Sequence, residues 1–109
     1  MNWPHAVAYF FGGLFCANLV PHFAAGMLGR PFQSPFAKPS GRGLSSSTVN
    51  VLWGLANGAA AYLLLLRVGR FDPRAGGCIG PFALGVLLTS LFSARHFGQF
   101  HGGNRPGRP

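Results

Sequence analysis

Apolar residues occupy three long runs of this chain, and short basic segments separate the runs. The runs cover 6–28, 48–66 and 78–94, and none of them contains Asp, Glu, Lys or Arg. A helix rises about 1.5 Å per residue, so about 20 residues cross the roughly 30 Å hydrocarbon core of a bilayer. The first run is long enough when tilted, the second just fits, and the third fits when it continues through Arg95 and His96. The pattern therefore predicts three transmembrane helices.

These helices define an all-α integral membrane protein with a single domain over 1–109. The expected segments are spans at about 6–28, 48–66 and 78–100, an interfacial loop at 29–47 and a polar tail at 101–109. The alternative for the first run is a cleaved signal peptide, for which Ala24-Ala25-Gly26 offers a small-residue site. We favour a retained span, because no Lys or Arg precedes the run and because signal peptides usually have only about 7–15 apolar residues.

The connection at 29–47 is rich in Pro and Gly, which disfavours a regular helix. Phe32 and Phe36 alternate with Pro31 and Pro35. One interpretation is therefore a segment that lies in the membrane interface with both phenyl rings as anchors. A plain extramembrane loop is the alternative, and both interpretations remain open at this point.

The basic residues lie in loops, at helix ends or in the tail, as Lys and Arg do in membrane proteins. The chain has a net charge of +8, and Asp72 is its only acidic residue. Anionic lipid headgroups are the expected partner rather than nucleic acid, because the basic residues never share one amphipathic helix face. The residues expected at the headgroup level are Trp3, Arg30, Lys38, Arg42, Arg67, Arg70, Arg74 and Arg95. More of the basic residues share a side with the tail than with the 67–77 loop, which favours a cytoplasmic C-terminus.

Polar residues inside the predicted spans repeat at helical spacings. Asn18 and His22 are four residues apart on span one, so they lie on one helix face. Spans two and three repeat this pattern. The predicted intramembrane cluster consists of Asn18, His22, Asn50, Trp53, Asn57, Ser93 and His96. On span three, Thr89 lies on the same face as Ser93 and His96. Such residues are costly in lipid, so we expect His22 to contact span two or span three. Hydrogen bonding between helices is the default interpretation, and an ion path, a proton relay or a ligand pocket is the alternative.

No catalytic residue, metal site or cofactor is predicted. One acidic side chain excludes a paired-carboxylate mechanism, and the sequence has no P-loop. His22 and His96 come to the same membrane side, so a haem or metal ion held by both is retained as an alternative. Two or three His without Cys or carboxylate spacing is a weak metal signal, and the motif C-x-x-C-H is absent. Cys16 and Cys78 fall at different depths and are not expected to pair.

Small residues mark the faces on which helices can approach closely. Gly54 and Gly58 form a GxxxG face on span two, and Gly12 and Gly13 begin small-xxx-small pairs on span one. Such faces bring helix backbones together in membranes. We therefore expect these four glycines in helix contacts, and we expect span two to be the central helix.

The segment 18–58 carries three short motifs, which are N-L-V-P-H-F at 18–23, P-F at 35–36 and N-V-L-W-G at 50–54. Together these motifs resemble a group of small bacterial inner-membrane proteins. The resemblance implies a multi-pass protein of the bacterial inner (cytoplasmic) membrane. No activity follows from it.

Two function classes remain. The first is a non-enzymatic accessory or structural subunit that packs on a larger membrane complex or on itself. The second is a minimal homo-oligomeric channel or transporter whose path is lined by the Asn and His faces. We favour the first, because a path for a charged substrate usually contains an intramembrane charged residue, and the three apolar runs contain none.

Overall fold

Three long helices and one short hairpin make up the computed structural model, which describes residues 2–107. Helix α1 spans Trp3–Met27, α2 spans Ser47–Tyr62 and continues as a π-helix over Leu63–Val68, and α3 spans Gly76–His101. All three are long and apolar enough to cross a membrane, with mean hydropathy of 1.4, 1.6 and 1.7 in their most apolar windows. They fit a multi-pass membrane protein.

Side-chain caps mark the starts of the first two helices. The Asn2 side chain accepts a hydrogen bond from the backbone N–H of His5 at 3.1 Å. The Ser46 hydroxyl accepts one from the N–H of Val49 at 3.2 Å. Each cap pairs a backbone N–H group that the first helical turn leaves without an intrahelical partner.

The connection between α1 and α2 contains two short strands, so the all-α prediction is incomplete. Strand β1 covers Phe32–Gln33 and β2 covers Leu44–Ser45, and they pair antiparallel with Phe32 opposite Ser45. Proline and glycine prevent a helix here, but the backbone groups still need partners where the segment is covered by the helices. Gly41 adopts a left-handed conformation with φ of 76°, and its N–H donates to the Ser34 carbonyl at 2.8 Å. This closes the hairpin.

Helix α1 is the central helix, because both α2 and α3 pack against it. The expectation that span two is central is wrong. The reason lies in the small residues of α1, which occur on two of its faces. Gly26 lies against the start of α2, where a Cβ atom would collide with Ser47 and Val51. On another face, a Cβ atom on Gly13 would collide with the Phe82 carbonyl oxygen of α3.

The connection between α2 and α3 is held by the first turns of α1. The hydroxyl of Tyr9 accepts a hydrogen bond from the backbone N–H of Arg70 at 3.0 Å. The Tyr9 ring packs edge-on against Phe71 at 5.7 Å between centroids, and Phe71 contacts Phe82 at 5.1 Å. These contacts fix the end of the bundle that lies opposite the hairpin.

Candidate functional site: polar contacts at the hairpin end of the bundle

Two polar pairs join α1 to α2. Nδ1 of His22 lies 2.8 Å from Oδ1 of Asn50, and Nδ2 of Asn18 donates to Oδ1 of Asn57 at 3.0 Å. His22, Asn50 and Asn57 are almost completely buried, with exposed fractions of 2%, 0% and 1%. The helical spacing of four residues on α1 and seven on α2 places the two pairs side by side along one interface. His22 therefore contacts span two.

Asn50 connects three parts of the chain. Its Nδ2 lies 3.1 Å from the Phe32 carbonyl oxygen, 3.2 Å from that of Ser45 and 3.0 Å from that of Ser46. The amide has two hydrogens, so these three carbonyl oxygens share them. One side chain thus holds the hairpin, the start of α2 and, through His22, the end of α1.

The Asn50 contacts also select one tautomer of the neutral His22 ring. Because Nδ2 of Asn50 donates to carbonyl oxygens, its Oδ1 must face His22 as an acceptor. An amide oxygen has no hydrogen to give, so the Nδ1 atom of His22 carries the proton in this contact. In the neutral ring, Nε2 is then left as an acceptor.

In the second pair, Asn18 with Asn57, the Asn57 amide bonds both to the other helix and to its own helix. Nδ2 of Asn57 donates to the Trp53 carbonyl oxygen one turn earlier in α2, at 2.7 Å, while its Oδ1 accepts from Asn18. Both ends of the Asn57 amide are therefore engaged. Nε1 of Trp53 is buried and has no hydrogen-bond partner within the described part of the chain.

Aromatic rings enclose His22. Phe32, Trp53 and Phe97 meet its imidazole edge-on, with centroids 5.5, 6.4 and 5.7 Å away. Phe32 thus inserts among the helices, and the His101 ring stacks on it at 5.3 Å. Phe36 points outward instead, is 62% exposed and contacts Trp53. The two phenylalanines of the connection therefore have different environments, although the sequence pattern treats them alike.

The histidines of α3 bind the hairpin rather than the polar pairs. Nε2 of His96 lies 2.6 Å from the Gly41 carbonyl oxygen, and Nε2 of His101 lies 3.0 Å from Oε1 of Gln33. His22 and His96 come to the same end of the bundle, but their ring nitrogens engage different partners. Across residues 2–107, no group of three His, Cys, Asp or Glu is arranged to hold a metal ion.

Thr89 and Ser93 line a groove that shares only Asn18 and Phe97 with the contacts around His22. This groove has a volume of about 390 Å³ and lies between α1 and α3. The walls of the groove are apolar and consist of Phe10, Leu14, Leu88, Phe92 and Phe97. The predicted cluster is thus divided between an inner site at the α1–α2 interface, the hairpin contacts of α3, and this groove. The spacing of Thr89 and Ser93 predicts that they share a helix face. Only the packing of α3 on α1 shows that this face borders the groove.

The four packing glycines all lie at contacts with other helical segments. Gly12 faces the Leu65 side chain, Gly13 faces the backbone of Phe82, and Gly58 faces the Leu19 side chain. A Cβ atom on Gly54 would lie 2.9 Å from the backbone nitrogen of Phe23. Gly13 and Gly54 therefore meet backbone, whereas Gly12 and Gly58 meet side chains that can move.

The residues expected at the headgroup level are exposed at the two ends of the bundle. Trp3 is 70% exposed at the start of α1. The exposed basic residues around the hairpin and the last turns of α3 are Arg30, Lys38, Arg42 and Arg95, and those around the α2–α3 connection are Arg67, Arg70 and Arg74.

Comparison of the chain with protein-family models, with curated proteins and with solved structures gives no match.

Proposed function

We propose that this protein is a multi-pass protein of the bacterial inner membrane that acts as an accessory subunit, with its C-terminus in the cytoplasm. It packs against a transmembrane helix of a larger complex and catalyses no reaction. The three apolar helices support the membrane placement, and the resemblance of 18–58 to small bacterial inner-membrane proteins supports the compartment. The distribution of Lys and Arg supports the orientation.

The polar pairs favour a packing function over a conducting path. The amide and imidazole groups of Asn18, His22, Asn50 and Asn57 hydrogen-bond to one another between α1 and α2. Groups that line a path must be open to water or substrate, whereas these side chains serve the contact between two helices. Interhelical hydrogen bonds of this kind stabilise membrane helix pairs by about 0.6–2 kcal/mol each.

The groove between α1 and α3 is the observation that carries the proposal. It places the hydroxyls of Thr89 and Ser93 and part of Asn18 between apolar walls, at a position that faces lipid when the helices span a membrane. Polar groups in hydrocarbon need a hydrogen-bond partner. A transmembrane helix with a polar side chain on an apolar face would supply that partner and fill the groove.

The exposed surface of α3 supports the same conclusion. Only 11% of its most apolar window is buried inside the protein, compared with 28% for α1. Leu88 and Phe92, which line the groove on α3, are 50% and 66% exposed. Helix α3 is therefore the helix with the most surface left for a partner.

Site-specific photo-crosslinking in native membranes tests the proposal. A photoreactive residue in place of Phe92, at the groove, should give one discrete protein adduct, and one in place of Leu87 should give none. The double substitution Thr89→Val and Ser93→Ala should weaken the adduct, while Ser90→Ala, which changes an exposed hydroxyl of α3 outside the groove lining, should leave it intact. Equal labelling from Phe92 and Leu87, or a clean monomer without adducts, would contradict the proposal. A stable homo-oligomer that conducts ions after reconstitution would support the channel instead.

A further inference from the structure

A second cavity lies at the end of α3, where the tail turns back on the helix. It has a volume of about 860 Å³, within the range of about 300–1,000 Å³ that is usual for small-molecule sites. Its polar lining comes from Arg95, Gln99, Asn104 and Arg105, and the Phe100 ring forms part of its wall. The residues that line the cavity thus include two arginines and two residues with side-chain amides.

Glycines shape this cavity. Gly102 ends α3 in a left-handed conformation with φ of 88°, and its carbonyl oxygen accepts a hydrogen bond from the N–H of Arg105 at 2.8 Å. Gly103 then lies so close to Gly98 that a Cβ atom on Gly103 would be 2.7 Å from the Gly98 Cα atom. The tail therefore folds back, and Arg105 reaches the cavity that Arg95 lines from within the helix.

A third guanidinium contacts Phe100, one of the residues that line the cavity. Arg42 of the hairpin stacks over the Phe100 ring, with its Cζ atom 5.3 Å from the ring centroid. Asp72 is the only acidic residue of the chain. It lies before the opposite end of α3 and pairs with Arg74 at 3.4 Å. The counter-charge for Arg42, Arg95 and Arg105 must therefore come from outside this chain's side chains.

We propose that Arg42, Arg95 and Arg105, together the arginine cradle, bind the phosphodiester headgroup of an anionic phospholipid. Guanidinium groups present planar pairs of N–H donors that match phosphate oxygens. The cradle lies at the end of a helix long and apolar enough to span a membrane, which is the headgroup level. The negative end of the helix dipole opposes an anion here, but it amounts to only about half a unit charge, compared with three full charges of the cradle.

Gln99 suggests which headgroups the cradle prefers. Gln99 lines the cavity, and its Nε2 atom donates to the His96 carbonyl oxygen at 2.9 Å, so Oε1 is the end of the amide that remains as an acceptor. A headgroup that carries a hydroxyl beside its phosphodiester, such as phosphatidylglycerol, can donate to this oxygen. This inference uses the membrane placement in the proposed function and does not depend on the partner subunit.

Lipid titration of the purified full-length protein in an uncharged detergent, followed by native mass spectrometry, measures this binding. Phosphatidylglycerol should bind more tightly than phosphatidylcholine. The double substitution Arg95→Gln and Arg105→Gln should weaken phosphatidylglycerol binding about 30-fold, from the attraction expected for two basic residues near a headgroup. Arg67→Gln with Arg70→Gln removes the same charge at the other end of the bundle, where these residues attract headgroups without lining the cavity, and should weaken phosphatidylglycerol binding several-fold less than the Arg95 and Arg105 pair.

Three results would contradict the proposal that the arginine cradle binds a phospholipid headgroup. They are equal losses in the two double variants, equal binding of the two lipids, and unchanged binding when Arg42, Arg95 and Arg105 are all replaced by Gln. The charge-conserving pair Arg95→Lys and Arg105→Lys should fall between the wild type and the Gln pair, which keeps the test informative if the Gln pair folds poorly. Thermal unfolding of each variant checks its fold.

A competition experiment with a water-soluble headgroup tests whether the bound phosphodiester belongs to a lipid or to a soluble molecule. Glycerophosphoglycerol, which has the headgroup without acyl chains, should compete only at far higher concentration than the lipid. Competition at equal concentration would support a phosphodiester site whose ligand is soluble, and no competition by inorganic phosphate is expected. Failure of lipid binding would leave the Phe92 crosslink unchanged, so this inference and the proposed function fail separately.

Discussion

Helix α1 meets its two neighbours in different ways. Against α2, its buried polar side chains pair with amides, as in His22 with Asn50. Against α3, glycines bring the backbones together around Gly13 and Gly85, and farther along the two helices separate into the groove at Thr89 and Ser93. Polar residues at helical spacing therefore hydrogen-bond to each other in one interface, whereas in the other they line an open groove.

The α1–α3 backbone contact should give the largest effect. Gly85→Leu places a side chain against the Phe10 carbonyl oxygen, which cannot move without shifting α1. We expect a loss of about 3 kcal/mol in the free energy of unfolding, the upper part of the usual range for overpacking. Gly80→Leu is the matched control, since nothing lies within 4 Å of a Cβ atom there. Thermal unfolding in detergent measures both, and equal losses would mean that α3 does not pack closely on α1.

The Asn50 amide should give the next largest effect. Asn50→Ala leaves the carbonyl oxygens of Phe32, Ser45 and Ser46 without this donor, and an unsatisfied buried polar group costs about 1–3 kcal/mol. We expect a loss of about 2–3 kcal/mol and faster amide hydrogen exchange in the hairpin. Thr48→Ala, at an exposed position in the same turn, should change neither. Unaltered exchange in Asn50→Ala would show that the hairpin is held by other contacts.

His22→Ala distinguishes a structural from a functional polar pair. If His22 only joins α1 to α2, the change should cost about 1 kcal/mol of stability and should leave the Phe92 crosslink intact. The contrary outcome is loss of the crosslink with the stability unchanged. That result would place the function at the α1–α2 interface rather than in the groove.

The groove hydroxyls should have the smallest effect on stability. Thr89→Val with Ser93→Ala changes groups that face the groove rather than another helix of the chain, so we expect less than about 0.5 kcal/mol, as for surface positions. A small loss in the free energy of unfolding together with a weaker Phe92 crosslink would support the difference between the two interfaces. A loss as large as that of Asn50→Ala would show that these hydroxyls stabilise the chain itself.

Much of the helical structure could be predicted from the sequence, whereas the hairpin could not. Uncharged runs of about 20 residues indicate helices because each residue contributes a fixed rise. Strands of two residues, such as Phe32–Gln33, have no alternating pattern long enough to recognise. Arg105 was not among the expected headgroup residues, because a polar tail rich in Gly and Pro gives no sign that it folds back on α3.

The sequence by itself determined three apolar helices and the faces that Asn18, His22, Asn50 and Asn57 share, because both depend only on local helix geometry. The tertiary structure decided which helix is central, which polar groups pair and which line the groove. These features depend on how closely distant segments approach, and that distance is set by pairs such as Gly13 with Phe82 and Gly85 with Phe10. Contacts between residues some seventy positions apart leave no periodic pattern in the chain, so they become visible only when the helices are packed.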